Sequence, residues 1–300
     1  MLPAIVLPAI SPEIFSVNLG GFHFALRWYA MAYVAGFIIG WAWFLSLVKR
    51  PHLWPDNKAP ATPRQLEALL TWIIIGTVLG GRLGFVLMYQ PQHYIQNPEQ
   101  ALMIWQGGMS FHGGLVGNIT ATIVYCRLQK MPILQVLDGV SIVVTPGLFL
   151  GRLANFVNSE LYGRPSEAPW AVVFPSGPAT ICPDFWQTAC ARHPSQIYEA
   201  VAEGLILGSV MIWCAYRAGW LRTPGRTGGL FLAIYGFVRF LVEFVREADP
   251  HYITPDNPLG HVVRFSDTIG MSMGQLLSLP MICLGLGAVY WLSDRRKLRL

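Results

Sequence analysis

The chain is a series of long apolar runs separated by short polar joints. A helix needs ~20 mostly apolar residues to cross a bilayer, and seven stretches approach that length. Trp28–Val48 carries no charge, and neither does 268–293. Between them, 66–89 is broken only by Glu67 and Arg82, 105–126 by His112 and 133–150 by Asp138. Stretch 197–216 has Glu199 and Glu203 near its start, and 228–245 has Arg239 and Glu243 near its end. The pattern predicts an all-α polytopic membrane protein with about seven transmembrane helices. The first and last stretches are the cleanest; the interrupted ones have softer ends.

The joints carry the orientation. Thirteen of the 21 lysines and arginines fall on one side, including Lys49, Arg50, Arg127, Lys130, Arg217, Arg222 and the closing Arg295, Arg296 and Lys297. Basic residues mark the cytoplasmic face, so the C-terminus is expected to be cytoplasmic and the N-terminus outside. The longest polar joint, 158–195, then becomes a small periplasmic cap inserted into one integral membrane domain, with short strands around 171–174. Pro194 is expected to open the next helix. Residues 1–10 are apolar but broken by Pro3 and Pro8 and lack a basic flank, so they read as an interfacial arm rather than a cleavable leader.

Composition supports the membrane reading. Of 300 residues, 53% are apolar and 12% charged, with a mean hydropathy of +0.44. Soluble proteins carry about 25% charged residues, and disordered, coiled-coil and collagen-like chains are excluded by the same figures. The net charge of +5 is spread over the joints rather than gathered into a nucleic-acid-binding patch, so the expected surroundings are a lipid bilayer and no nucleic acid. Cys126, Cys214 and Cys283 lie in or beside apolar runs and read as packing residues. Cys182 and Cys190 share the polar cap and can pair if it faces an oxidising compartment.

Ionisable groups inside a bilayer cost ~2.5–3.5 kcal/mol each on insertion scales, and here they are not scattered. His112, Arg152, Asn155, Glu160, Arg239 and Glu243 all map toward the outer ends of their stretches. His112 lies among Gly107, Gly108, Gly113 and Gly114; it can take a proton or simply bond a neighbouring carbonyl. Arg152, Asn155 and Ser159 share a helix face, forming either a network that shapes the loop or a seat for an anionic lipid head group, which suits a planar guanidinium. Tyr235, Arg239 and Glu243 form another stripe, drifting only ~80° around a helix. There, Glu243 either neutralises Arg239 or steadies it for phosphate. Arg82 either adds to this positive cavity or snorkels. Trp28 reads as an interfacial belt residue, Asp138 as structural. No metal-ligand set, P-loop, Rossmann fingerprint or nucleophile elbow is present, so neither metal nor organic cofactor is expected.

The block running from Gly151 through Arg152, Asn155 and Glu160 to Gly163 resembles the signature of the prolipoprotein diacylglyceryl transferases. Ser110 to Gly114, His193 to Glu199, Tyr235 to Arg246 and the pair Trp28–Tyr29 resemble the family's other blocks, in the same order. The likeness runs from about Phe15 to Trp291. Ser159 departs from it, since glycine is common there.

The resemblance implies a transferase in the bacterial inner membrane, with its active site toward the periplasm. It implies that a diacylglyceryl group moves from phosphatidylglycerol to the lipobox cysteine thiol of a preprolipoprotein. A thioether forms and glycerol phosphate leaves, the first step of lipoprotein maturation. Arg152 and Arg239 would stabilise the leaving phosphate. His112 would take the thiol proton, and Tyr235 would assist or orient the head group. Tyr29, Asn155, Glu160, Gly163 and Glu243 would hold the phospholipid, Gly163 by allowing a turn against it. An anion transporter would also place arginines in the bilayer but should open a path to the cytoplasmic side. A scaffold would explain a polar cap but not the convergence at depth.

Overall fold

The computed structural model describes residues 5–20, 22–88, 91–104, 107–182, 190–249, 252–266 and 269–297. Strands β1 (Ile5–Val6), β2 (Glu13–Leu19) and β3 (Phe22–Arg27) open the chain. Then come α1 (Trp28–Val48), α2 (Pro63–Met88), α3 (Pro91–Gln96) and α4 (Phe111–Leu128). Next are α5 (Ile133–Val143), α6 (Thr145–Val157), β4 (Val172–Val173), β5 (Ala191–Arg192) and α7 (Ser195–Glu199). A π-helical segment, Ala200–Ile206, joins α7 to α8 (Leu207–Tyr216). The chain closes with α9 (Arg226–Val242), β6 (Val263–Arg264), β7 (Gly270–Met271) and α10 (Met273–Lys297).

All seven apolar stretches are helical over most of their length. Among the described residues four helices are long and apolar enough to cross a membrane: α1, α2, the α7–π–α8 run and α10. The pair α5 and α6 makes a fifth if counted as one span bent by 41°. Pro146, at the start of α6, cannot continue the hydrogen-bond ladder of α5 and forces that bend. The third stretch starts later than its sequence suggests, at Phe111, because Gly107 and Gly108 adopt left-handed φ values of +86° and +79°. Trp105 and Thr268 lie outside the described residues. Side chains on the outer faces are apolar and exposed, among them Ile38, Leu79, Leu83, Trp213, Leu284 and Leu286, as lipid contact requires. The chain is a multi-pass membrane protein. Cys283 is exposed, unlike the buried Cys126 and Cys214, so it does not pack a core.

Two compact units divide the chain: Met1–Gly40 with Val140–Leu300, and Trp41–Gly139. In the second unit α2 and α4 touch backbone to backbone. A Cβ on Gly80 would sit 2.4 Å from the Gly113 oxygen and 2.7 Å from Gly117 Cα, and one on Gly117 would sit 2.0 Å from the Gly76 oxygen. Ser110 caps α4, its Oγ accepting from the Gly113 N–H at 3.1 Å. Arg82 neither lines a positive cavity nor snorkels. It is 5% exposed and donates to the carbonyls of Gln100, Ala101, Gly107 and Gly108 at 2.6–3.1 Å. Its guanidinium thus ties the approach to α4 onto α2.

In the first unit β2 and β3 form an antiparallel hairpin that pairs Glu13 with Arg27. The segment 1–10, expected as an interfacial arm, contributes β1, which pairs with β4; β4 in turn pairs with β5. Pro194 is the N-cap of α7 rather than its first residue. Cys182 and Cys190 are disulfide-bonded, their Cα atoms 5.5 Å apart. Beside them Arg192 donates to the carbonyls of Gly163, Ala179 and Ile181, reaches Glu247 at 3.2 Å and lies over the Tyr162 ring.

Candidate active site

The site is assembled by close helix approaches within the first unit. Gly204 and Gly208 let α6 lie directly on the π–α8 run: a Cβ on Gly204 would fall 2.5 Å from Phe149 Cβ, and one on Gly208 3.0 Å from Thr145 Oγ1. That contact brings Arg152 of α6 to two carboxylates. Arg152 Nη1 lies 3.1 Å from Glu199 Oε2, and Nε and Nη2 donate to Glu203 Oε2 at 3.2 and 3.1 Å. Glu199 and Glu203 are both 0% exposed. They flank the start of the π segment, whose i→i+5 pattern widens the turn and is often found at functional sites.

Glu199 reaches a second helix as well. Its Oε1 accepts from Nη1 of Arg239 on α9. The other side of Arg239 is held by Glu243, with Nη2 to Oε1 at 2.5 Å. Glu243 also accepts from Arg246 at 3.1 Å and, through Oε2, from the Ser272 hydroxyl at 2.6 Å. Gly274 makes room for this carboxylate: a Cβ there would lie 2.4 Å from Glu243 Cδ. Tyr235 lies one turn before Arg239, stacked on Phe231 with ring centroids 5.8 Å apart. It is within electrostatic range of Arg152, Arg239, Glu199 and Glu203.

The result is a chain of ion pairs, Glu203–Arg152–Glu199–Arg239–Glu243–Arg246. Three guanidiniums balance three carboxylates, so the bilayer cost of isolated charges is avoided. The arginines are not sealed: Arg152 and Arg239 side chains keep 15% and 17% of their surface. Glu203 Oε1 is buried with no hydrogen-bond partner among the described residues.

Of the residues marked in the sequence, Arg152, Tyr235, Arg239 and Glu243 therefore meet in one cluster. Tyr29 stands beside it, its hydroxyl 2.9 Å from that of Tyr33 and within electrostatic range of both Arg152 and Glu160. Asn155 is buried on α6, one turn beyond Arg152. Glu160 is exposed rather than in the cluster; its carbonyl accepts from Gln196 at 2.7 Å. Gly163 does not have a left-handed φ. Glycine is required there because a Cβ would strike His193 O at 2.5 Å and Val245 O at 2.7 Å, so the close approach is to protein. His112 sits in the first turn of α4, in the other unit, and its side chain lies outside the described residues. Glu199 and Glu203 were missed as site residues. Their signal was present: two carboxylates four apart in an apolar run, the same pattern that marked Arg239 and Glu243.

Against known proteins, the model of the prolipoprotein diacylglyceryl transferase family matches residues 15–291. The chain is 54% identical over 279 residues to the phosphatidylglycerol–prolipoprotein diacylglyceryl transferase of Ruegeria pomeroyi, covering 93% of this chain and 94% of that one. It is 50% identical over 297 residues to the protein of the same name from Roseobacter denitrificans, covering 99% of each. The Rhizobium meliloti protein of that name is 42% identical over 288 residues, covering 96% and 94%. A family match across nearly the whole chain, on a multi-pass helical protein with paired arginines between its helices, makes this protein a membrane transferase belonging to the prolipoprotein diacylglyceryl transferase family.

Proposed function

We propose that the protein transfers the diacylglyceryl group of phosphatidylglycerol to the lipobox cysteine thiol of a preprolipoprotein. The thiolate attacks the glyceryl carbon that carries the phosphate ester, a C–S bond forms and the C–O bond breaks. The electron pair leaves on a phosphate oxygen, and glycerol phosphate departs. The thiol gives up its proton and the departing phosphate can accept one, so the reaction needs no outside acid, metal or organic cofactor.

The observation that carries this reading is the convergence of Arg152 and Arg239 on one buried carboxylate, Glu199. Two guanidiniums from separate helices, each held by two carboxylates yet keeping part of its surface open, suit a phosphate whose charge grows as the bond breaks. Tyr29, Asn155, Glu160 and Gly163 belong to the phospholipid side of the site on this reading, with Glu243 bracing Arg239. His112 is the base for the thiol, and Tyr235 assists.

The setting follows from the same proposal. All seven helical stretches span the inner membrane, α4 and α9 included; at 18 and 17 residues they reach ~25 Å of a ~30 Å core. The N-terminus is outside and the C-terminus cytoplasmic. Residues 158–195 cap one integral membrane domain on the periplasmic side, where the signal helix of the acceptor enters sideways from the bilayer.

The test is a purified-protein assay with phosphatidylglycerol and a lipobox peptide, read by peptide mass. A diacylglyceryl-sized increase is expected, abolished in Arg152→Ala and strongly reduced in Arg152→Lys, which keeps the charge but loses the fork. No increase with folded wild-type protein refutes the reading. Full activity in both variants refutes the role given to Arg152.

A further inference from the structure

The carboxylate that braces Arg239 is itself fixed by the first turn of α10. Ser272 immediately precedes that helix and forms a reciprocal cap with Gln275. The Gln275 N–H donates to Ser272 Oγ at 3.2 Å, and the Ser272 N–H donates to Gln275 Oε1 at 3.1 Å. Both residues are buried, as is Glu243. A hydroxyl has one proton to donate. With its oxygen accepting from the cap, Ser272 directs that proton to Glu243 Oε2, 2.6 Å away. Glu243 Oε1 meanwhile carries two guanidiniums, Arg239 at 2.5 Å and Arg246 at 3.1 Å. The two oxygens of one carboxylate thus face different partners. The seat of α10 on α9 is set backbone to backbone: a Cβ on Gly285 would fall 2.5 Å from the Ala233 nitrogen and from the Gly229 oxygen, and one on Gly236 3.1 Å from the Ser278 oxygen. That packing holds the Ser272 hydroxyl in a fixed relation to α9.

We infer that Ser272 is a positioning residue for the transfer, acting through Glu243 to set the guanidinium edge that Arg239 presents to the phosphate. The inference rests on the proposed transferase reading and deepens it, since it adds a residue from α10 to the machinery. A donor on Oε2 keeps both arginines on Oε1. Without that donor a buried carboxylate oxygen is left unpaired, which is costly, and turning Oε2 toward either guanidinium removes the cost. Arg239 Nη2 then follows the carboxylate, and its edge moves out of line. Gly274 makes the coupling close: a Cβ there would lie 2.4 Å from Glu243 Cδ, so the carboxylate rests against the backbone of α10. Loss of the hydroxyl changes no charge in the site. The intact lipid therefore keeps its electrostatic hold, and the loss falls on the step in which charge grows on the phosphate.

The test uses the full-length protein in detergent with phosphatidylglycerol and a lipobox peptide, read by turnover and by unfolding midpoint. Glycine caps a helix nearly as well as serine, so Ser272→Gly removes the hydroxyl at little cost in stability. Its kcat is expected to fall about tenfold, with KM for phosphatidylglycerol unchanged. Ser272→Ala repeats the deletion should the glycine variant fail to fold. Ser272→Thr keeps both donor and cap and is expected to restore kcat. Gln275→Ala breaks half of the cap but leaves the hydroxyl on Glu243, so it is expected to lower the midpoint while retaining kcat. An unchanged kcat in the deletion variants would overturn the inference, as would a rise in KM alone. So would failure of threonine to restore kcat, or an equal loss in Gln275→Ala, which would make the effect one of helix capping. Failure of folded wild-type protein to transfer at all would instead overturn the transferase reading, and this inference with it.

Discussion

Glu199 is the joint of the ion-pair chain, and removing it should do more than remove one contact. It is 0% exposed and forms an ion pair with Arg152 through one oxygen and with Arg239 through the other. Truncation to Ala leaves two partly buried guanidiniums that each lose a partner, while Glu203 still holds one and Glu243 the other. Breaking a buried pair by deleting one member costs about 3–5 kcal/mol. The arginines keep 15% and 17% of their surface, so water recovers part of that, and about 3 kcal/mol is expected. Glu199→Gln keeps the shape and one acceptor and should cost about half as much. Unfolding would be followed in mixed micelles by titration with a denaturing detergent, alongside turnover. Turnover should fall further than the folded fraction, because the spacing of the two guanidiniums is lost even in molecules that fold. A cycle with Arg239→Gln should give a coupling of at least 0.5 kcal/mol. A cost below about 1 kcal/mol for Glu199→Ala, with turnover intact, would refute the idea that this carboxylate sets the arginines.

Gly80→Leu should drive α2 and α4 apart, since even a Cβ there would sit 2.4 Å from the Gly113 oxygen; a loss of about 3 kcal/mol is expected in the same titration. Arg82→Lys cannot reproduce four bonds to carbonyls of residues 100–108, so that segment should gain amide exchange and protease sensitivity. Ser159→Gly should stabilise by about 1 kcal/mol, because it relieves a left-handed φ of +56° and removes a buried hydroxyl without a partner among the described residues. Burial pushes the His193 imidazole below its ordinary pKa. Its contribution is therefore complete above about pH 6.5 and lost as pH falls toward the folded value. A fall in stability on acidification, reduced in His193→Gln, would be read from unfolding midpoints across that range.

What could be read from the sequence depended on how local its cause was. The bounds of α1 match the uncharged run 28–48 because burial in lipid needs nothing beyond apolar side chains. The third stretch was read too long: 105–110 carries no ionisable group, but residues 107 and 108 are set by glycines at positive φ and by Arg82, 25 residues before Gly107 in sequence. The β2–β3 hairpin went unread although Phe15–Leu19 and Phe22–Arg27 alternate apolar and polar on either side of Gly20 and Gly21, a local hairpin signal. Arg152, Arg239 and Glu243 stood out because charge in an apolar run is costly wherever it lies. Glu199 and Glu203 carry the same charge-in-apolar-run signal, but their partner Arg152 is brought to them by the packing of α6 against the π segment through Gly204 and Gly208. That approach has no single-residue signature. The departure at Ser159 acquired a physical meaning only once its backbone was known: the family's usual glycine fits a left-handed residue that serine occupies under strain.

The balance of the cluster bears on how such a site would work. A purely basic pocket would bind any anionic lipid tightly, and equal binding of ground and transition states does not raise the rate of the chemical step. Here Arg152 and Arg239 are each already paired with two carboxylates. Entry of a phosphodiester, with one negative charge, therefore gains less than it would from bare cations. As the C–O bond breaks, charge accumulates on the phosphate oxygens, and the same guanidinium edges interact more strongly with it. Glu199, Glu203 and Glu243 thereby, on the proposed reading, weaken the hold on the intact lipid while fixing the geometry that meets the leaving group. On the proposed reading, replacing these carboxylates with amides should lower KM for phosphatidylglycerol at the same time as it lowers kcat. That is opposite in KM to the loss expected from removing an arginine, and the split distinguishes tuned charge balance from simple support.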